Sequence, residues 1–242
     1  MIFKGDLRRF GGARHRLKES RPMRYYPVSL DIMGKACLVV GGGAVGTRKV
    51  ETLVRCGAHV TVVSKAFTDE LKTMAQDAPV TLEERAYVPS DMDGKFLVIV
   101  ATDDQEFNTR VSRDAEASCT LCNVADYPSA CNFILPSIVQ RGDMTLSIST
   151  SGKSPAFAKW MRRRLETEFG DEYGEFLELM GLVRKKLLAE AHEPEAHKPL
   201  FEALIAGGLL GMVKAGDKKG ADAFLTEVLG EGYTCETLGF SL

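Results

Sequence analysis

One stretch decides the fold of this chain: Ala36-Cys-Leu-Val-Val-Gly-Gly-Gly-Ala-Val-Gly-Thr-Arg-Lys49. A short apolar strand runs directly into a G-x-G-x-x-G motif and then into a helix. In such a unit the glycines permit a tight turn, close backbone approach to a pyrophosphate and close packing of the helix on the strand. The helix N-terminus offers unpaired N–H groups to the phosphates. The stretch therefore predicts a dinucleotide site, and its cofactor-binding residues are Gly41, Gly43, Ala44, Val45 and Gly46.

Length and composition bound the class of protein. The chain has 242 residues, 45% of them hydrophobic, which is enough for a dinucleotide-binding unit and a smaller second region. Because no apolar run is long enough for a membrane helix and the N-terminus lacks the apolar core of a signal peptide, we expect a soluble, cytoplasmic protein without a membrane partner. Six cysteines are too few for a disulfide scaffold, so we expect free thiols.

Residues 1–22 form a basic leader with seven Lys and Arg side chains against two acidic ones. The leader has no helical stripe, and a fold-like pattern begins only at Met23. We therefore expect a disordered tail, or a start codon chosen upstream of Met23, rather than a nucleic-acid arm. Because the whole chain has a net charge of −2, the remainder is acidic, which argues against nucleic-acid binding.

From Lys35 the pattern alternates strands and helices. We predict strands at 36–41, 58–64, 79–84, 96–101 and 120–124, and helices at 44–56, 67–77 and 104–117. Continuous apolar runs are typical of strands that are covered on both faces. Residues 23–132 are therefore predicted to form a Rossmann-like, doubly wound parallel sheet of the α/β class.

A small layer is predicted after this sheet, at 133–170. Two apolar runs, 133–140 and 144–149, flank Arg141-Gly142-Asp143 and predict an antiparallel hairpin. Ser154-Pro155 then begins a helix with an apolar stripe that includes Phe157 and Trp160. A hairpin and one helix have little core of their own, so we predict that this region packs against a second copy in a homodimer. Residues 171–242 are predicted to be helical, at 172–191, 195–206 and 217–229, with a packing role.

Several candidate site residues end the predicted strands, at the edge where ligands of open α/β sheets collect. Ser64 and Lys65 stand where an acidic residue usually binds the adenine ribose. Ser64 could bind the ribose and Lys65 a 2′-phosphate, so these residues leave NAD and NADP open. Thr102 closes the strand 96–101, and for Asp103 and Asp104, which follow it, capping of the next helix is the ordinary alternative.

Asp126 and the loop 149–155 are the candidates for substrate chemistry. Asp126 lies just past the strand 120–124 and is either a solvated loop carboxylate or a general base that faces the nicotinamide. The loop enters a helix, so it either forms a plain capped turn or binds an anion through its N–H groups. Its predicted substrate-binding residues are Thr150, Ser151, Gly152, Lys153 and Ser154. No metal site is predicted, because Cys119 and Cys122 lie three apart on a strand and point to opposite faces.

The order of these motifs resembles the precorrin-2 dehydrogenase family, which includes the amino-terminal half of bacterial sirohaem synthase. The matching pieces span about 23–170 and are Tyr26–Val28, Gly41–Lys49, Ala101–Asp104, Asn123–Asp126, Phe133–Ser137 and Ser149–Pro155. The resemblance implies a dimer that oxidises precorrin-2 to sirohydrochlorin with NAD, on the way to sirohaem, cobalamin or haem. Some members also insert ferrous iron or cobalt. The functional aspartate of the family falls on Asp126, as a general base or an aid to chelation.

The implied substrate has a macrocycle with eight carboxylates, which needs a basic, open cleft with an apolar floor. We expect the loop 149–155 and the basic groups Lys153, Lys159 and 162–164, from this or the partner subunit, to bind the carboxylates. The nicotinamide is expected near Thr102 and Asp126. Two other functions fit the sequence: a chelatase that only retains the fold, and a dinucleotide-sensing regulatory domain that binds NAD without turnover.

Overall fold

The computed structural model of the protein describes residues 24–190 and 194–242. The predicted basic leader, 1–22, lies outside the described residues. The first part of the chain contains β1 (Ala36–Gly42), α1 (Ala44–Arg55), β2 (His59–Phe67), α2 (Asp69–Asp77), β3 (Val80–Glu84), β4 (Leu97–Val100), α3 (Gln105–Ala117) and β5 (Leu121–Val124). The second part contains β6 (Ser137–Arg141), β7 (Met144–Ile148), α4 (Pro155–Glu168), α5 (Glu172–Ala189), α6 (Pro194–Ala206), α7 (Leu209–Ala215), α8 (Lys218–Leu229) and α9 (Cys235–Leu238).

The first five strands form one parallel sheet in the order β3-β2-β1-β4-β5. Leu38 and Val40 of β1 pack with α3 on one face, whereas Cys37 and Val39 pack with α1 and α2 on the other. Both faces are therefore covered, which explains the continuous apolar runs. The strand order reverses between β1 and β4, and ligands of such sheets bind beyond the strand ends at this point. The predicted doubly wound fold, with its hairpin and helical C-terminal region, is confirmed.

The end of β2 differs from the prediction. The strand was expected to stop at 64 but continues to Phe67, which pairs with Gly42 after an irregularity in the β1–β2 register. The continuation needs a glycine at 42, because a Cβ there would overlap the Ala66 carbonyl oxygen. Helix α2 then begins at Asp69 rather than at 67, and the Thr68 side chain caps it by accepting a hydrogen bond from the Leu71 N–H at 3.2 Å.

The glycine loop between β1 and α1 shows three different environments. Gly41 has a φ of +113°, and a Cβ there would overlap the carbonyl oxygen of Ala101, which follows β4. A Cβ at Gly46 would overlap the Gly41 carbonyl oxygen, so this glycine permits close packing of α1 on β1. A Cβ at Gly43, the N-cap of α1, would meet nothing within 4 Å. Two glycines thus serve the packing, and Gly43 leaves open space at the helix N-terminus.

The hairpin β6–β7 and helix α4 form a thin layer beside the sheet. The Arg55 guanidinium at the end of α1 donates to the Gln140 side-chain oxygen of β6 at 3.0 Å, which joins the layer to the sheet unit. Arg141 donates to the carbonyl oxygens of Glu166 and Phe169 at the end of α4. Because Ala158 is the buried residue of α4, this helix leaves most of its apolar stripe uncovered within the described chain.

The helical C-terminal region has a core of its own, with Leu179, Leu204, Leu209 and Leu225 at its centre. Helices α7 and α9 were not predicted. Gly208 has a φ of +89° and is the N-cap of α7. The pair Gly207-Gly208, which was predicted to break the helical pattern, therefore joins α6 to α7. Within the described residues, no helix is both long and apolar enough to cross a lipid bilayer.

Replacement of Gly41 by alanine tests the close approach of β1 to β4. We expect Gly41→Ala to lower the free energy of unfolding by about 1–3 kcal/mol or more, because the left-handed φ and the Ala101 carbonyl both oppose a Cβ. Gly43→Ala is the matched control, because its Cβ enters open space. Urea unfolding monitored by circular dichroism compares the two variants. An equal midpoint for Gly41→Ala and the wild type would contradict the assigned packing.

Candidate functional site

An open cleft of about 610 Å³ lies between α1, the end of β5 and the hairpin layer. This volume is in the range of small-molecule sites. Its apolar lining comes mainly from the layer: Ile134, Leu135, Pro136, Ile148, Pro155 and Ala158. Its polar lining includes Arg48, Lys49, Thr52, Asn123, Asp126, Ser137, Ser149 and Thr150. The first turn of α1, through Val45, reaches the same cleft, so the glycine loop and the cleft adjoin each other.

The Asp126 carboxylate lines the cleft and is exposed to solvent there. Its backbone has a φ of +58°, the left-handed conformation that Asp adopts more readily than most residues. The conformation closes a turn just after β5, in which the Tyr127 N–H donates to the Val124 carbonyl oxygen at 3.3 Å. Asp126 is the only acidic residue among the described residues that line the cleft.

Cys131 holds the turn that carries Asp126, a role that its place in the sequence does not indicate. Its Sγ accepts a hydrogen bond from the Val124 N–H at 3.1 Å and lies 3.3 Å from the carbonyl oxygens of Val124 and Tyr127, either of which the thiol can reach. Burial raises the pKa of this thiol, so the neutral, donating form is favoured. The nearby Asn123 amide donates to the Phe133 carbonyl oxygen at 3.1 Å. Together these bonds orient the turn toward the cleft.

Arg48 and Lys49 also line the cleft, although they were not predicted as site residues. They lie on one face of α1 with Val45 and Thr52, at the i, i+3, i+4 and i+7 spacing that could have revealed them. Burial lowers the pKa of the half-buried Lys49, and the neighbouring Arg48 charge lowers it further, whereas Asp126 acts in the opposite direction. The cleft thus brings two cations near its one carboxylate.

The predicted cofactor residues gather around the glycine loop. Thr102 follows β4 beside Gly41, and its hydroxyl donates to the side-chain oxygen of Asn108 at 2.5 Å. The buried Asn108 amide donates back to the Thr102 carbonyl oxygen at 2.9 Å, which fixes the residue at the sheet edge. Ser64 lies next to Gly42, and Lys65, one residue further along β2, is exposed.

The capping alternative for the acidic pair after β4 is confirmed. The Asp104 carboxylate accepts a hydrogen bond from the Phe107 N–H at 3.0 Å and caps α3. Asp103 is exposed.

The loop 149–155 forms the capped turn that was one of its two interpretations. Ser154 caps α4 by accepting from the Phe157 N–H at 3.2 Å, and the Thr150 hydroxyl accepts from the Ser154 N–H at 3.2 Å. Of the predicted substrate-binding residues, Thr150 and Gly152 line the cleft, whereas Ser151 and Lys153 are exposed outside its lining.

The basic face of α4 lies away from the cleft of its own chain. Lys159, Arg163 and Arg164 are exposed, and Arg162 pairs with Glu166 one turn later. None of these four is among the described residues that line the cleft. In the part of the chain that the structure describes, no three His, Cys, Asp or Glu side chains are grouped closely enough to hold a metal ion.

The residues around the glycine loop fit a dinucleotide. Gly46 lets α1 approach the end of β1 more closely than a side chain would allow, Gly41 does the same between β1 and the end of β4, and Gly43 leaves the N-terminus of the 12-residue helix α1 open. An open helix N-terminus with free N–H groups is a ready anion site. Thr102 and Ser64 stand beside it at the sheet edge. The loop therefore offers both the space and the donors that a pyrophosphate requires.

Known proteins match this chain in both of its site-forming regions. Residues 28–137 match a family model described as "Putative NAD(P)-binding", and residues 141–168 match one described as "Sirohaem biosynthesis protein central". The sirohaem synthase of Nitrosococcus oceani is 35% identical over 214 residues, which is 88% of this chain and 46% of that protein. The sirohaem synthase of Nitrosomonas europaea is 36% identical over 208 residues, 86% of this chain and 44% of that protein.

A solved structure also shares this fold. The precorrin-2 dehydrogenase SirC is 26% identical, with a TM-score of 0.70 over 84% of this chain and 98% of that chain. The chain spans less than half the length of the two sirohaem synthases but nearly all of this dehydrogenase. Fold, glycine loop and both family matches agree with the resemblance seen in the motifs, and the chain belongs to the precorrin-2 dehydrogenase and sirohaem synthase family.

Proposed function

We propose that this protein oxidises precorrin-2 to sirohydrochlorin with NAD, as one step of tetrapyrrole biosynthesis. The observation that carries the proposal is the single cleft that joins Asp126 to the first turn of α1. A dinucleotide at the glycine loop and a flat substrate in the cleft would then lie side by side. The SirC dehydrogenase supports the same activity by its similarity over 98% of its length.

The chain's own residues would divide the work as follows. Gly43, Ala44, Val45 and Gly46 would hold the pyrophosphate through the helix N-terminus, and Thr102 would lie against the nicotinamide end. Ser64 and Lys65 would contact the adenine ribose. When bound, NAD supplies the acceptor for a hydride.

Asp126 would act as the general base for the proton that leaves the macrocycle. Oxidation of precorrin-2 removes a hydride and a proton, so the site needs a base beside the substrate as well as a hydride acceptor. The Asp126 carboxylate is exposed to the cleft and is carried on a turn that Cys131 braces. A positioned base of this kind contributes about 10²- to 10⁴-fold to the rate.

Substrate binding would use the apolar walls and the loop beside them. Ile134, Leu135 and Ile148 offer a surface for the macrocycle. Thr150, Ser151, Gly152, Lys153 and Ser154 are the proposed substrate-binding residues of the loop. Thr150 and Gly152 line the cleft, whereas Ser151, Lys153 and Ser154 lie outside its lining.

Substitution of Asp126 tests the assignment of the base. We expect Asp126→Ala to lower kcat for precorrin-2 oxidation by about 10²- to 10⁴-fold, because the proton loses its acceptor. The dissociation constant for NAD should stay within about twofold, because the carboxylate lies outside the glycine loop. Absorbance of the macrocycle follows turnover, and calorimetry measures NAD binding. A normal kcat would move the base to another residue.

Gly43→Asp is the complementary variant. A Cβ at this position meets nothing within 4 Å, and the added carboxylate would repel the pyrophosphate, so NAD affinity should fall while the fold is kept. NAD binding without any oxidation by the wild type would favour a sensing domain. Insertion of ferrous iron or cobalt into sirohydrochlorin without oxidation would favour a chelatase.

We propose that the protein is a homodimer that buries the outer face of α4. Phe157 and Trp160 are 50% and 51% exposed, although their rings stack at 5.6 Å, and Ile138 of β6 is 42% exposed. Large apolar side chains grouped on one surface are typical of interaction sites. The thin hairpin layer with one buried residue on α4 needs such a cover.

Trp160→Glu tests the dimer. A charge in a buried apolar interface is strongly unfavourable, so we expect this variant to sediment as a monomer where the wild type is a dimer. Leu188→Glu on α5 is the control, because Leu188 is a similarly exposed apolar residue outside the layer. Analytical ultracentrifugation at several concentrations distinguishes the two species. If only the Leu188 variant dissociates, the copies meet through the helical region instead.

A further inference from the structure

Two neighbouring cations of α1 face the cleft. Arg48 and Lys49 follow the glycine loop by one helical turn and share the cleft-facing side of the helix with Val45 and Thr52. The opposing charge in the described lining is Asp126 alone. With two cations and one carboxylate, the described lining has an excess of positive charge, which attracts an anionic ligand.

The rest of the described fold leaves the charges of both cations without a salt-bridge partner. Across 24–190 and 194–242, no salt bridge involves Arg48 or Lys49. The Arg48 Nε–H donates to the Ala44 carbonyl oxygen at 3.3 Å, which leaves the other N–H groups of the guanidinium available. Lys49 is half-buried, so its charge has lost part of its hydration, and although Asp126 acts on it through space, the two do not form a salt bridge. A partly desolvated, unpaired ammonium is costly unless a ligand supplies the missing anion.

We propose that Arg48 and Lys49 bind carboxylates of the tetrapyrrole and make the cleft selective for highly carboxylated macrocycles. The inference rests on the proposed function, because it names the substrate contacts of that same site. It also moves the main cationic contact from α4 to α1. Lys159, Arg163 and Arg164 of α4 are exposed outside the cleft lining, and Arg164 lies over the Trp160 ring at 5.8 Å.

The position of the pair separates it from the proposed pyrophosphate site. The free N–H groups of α1 point out of its N-terminus at Gly43, whereas Lys49 lies more than one turn inside the helix and on its side. Loss of the Lys49 charge should therefore affect the tetrapyrrole and leave the dinucleotide unchanged. This difference can be measured without turnover.

The test compares binding of two stable porphyrins and NAD. Uroporphyrin carries eight carboxylates and coproporphyrin four, and both report binding by fluorescence. We expect Lys49→Gln and Arg48→Gln to weaken uroporphyrin binding about tenfold each, the size of one charged hydrogen bond. The ratio of uroporphyrin to coproporphyrin affinity should shrink in both variants. Lys49→Arg should restore most of the loss, and NAD affinity should stay within about twofold.

Lys185→Gln is the matched control, because it removes one positive charge from an exposed position on α5. We expect it to bind uroporphyrin as the wild type does. In precorrin-2 oxidation, Lys49→Gln should raise KM more than it lowers kcat, as loss of a binding contact predicts. The salt dependence of uroporphyrin affinity should also be less steep in Lys49→Gln.

Three results would overturn the inference. These are unchanged uroporphyrin affinity in Lys49→Gln, an equal loss in Lys185→Gln, and weakened NAD binding in place of weakened porphyrin binding. Loss of uroporphyrin affinity in Arg163→Gln alone would assign the carboxylates to α4. Charge-selective porphyrin binding by a wild type that does not oxidise precorrin-2 would overturn the proposed function and leave the role of Arg48 and Lys49 standing.

Discussion

The architecture depends on how closely two backbones approach at the end of β1. Gly41 meets the carbonyl of Ala101 at the end of β4, and Gly46 brings α1 against the Gly41 carbonyl. Side chains at either position would push the strand ends or the helix apart. Because α1 is held so near the sheet edge, its first turn opens between β1 and β4, where the strand order reverses. The nucleotide loop and the adjoining cleft both follow from that position of α1.

The cleft is built from parts of different stability. Strands β1, β4 and β5 are buried on both faces, so their ends form a rigid base. The turn that carries Asp126 is attached to this base by hydrogen bonds of the Cys131 thiol and of Asn123, and not by apolar burial. The outer wall is the hairpin layer, which is attached through Arg55 to Gln140 and has little core. The side of the cleft that carries Asp126 therefore rests on the buried sheet, whereas the opposite wall rests on a layer with little core of its own.

Prediction from the sequence succeeded where the signal was local. Apolar runs placed all five parallel strands, and the glycine motif placed the turn between β1 and α1, because strand burial and tight turns depend on a few adjacent residues. It was wrong at the end of β2, which extends to Phe67 because Gly42 allows a further pairing that no local pattern reveals. It also missed α7, since Gly208 caps a helix there although paired glycines usually indicate a break.

Local sequence patterns were sufficient to predict the doubly wound fold, the glycine loop and the place of Asp126 just past a strand end. The packing of distant segments decides which side of α1 faces the cleft, that Cys131 braces the turn of Asp126 and that the basic face of α4 lies outside its own cleft. The difference follows from how far apart in the sequence the interacting residues lie. A turn or a buried strand depends on neighbours in sequence, whereas the surroundings of Lys49 depend on a hairpin almost ninety residues away. Charge on a helix becomes a binding site only when another element covers that face and removes part of its water.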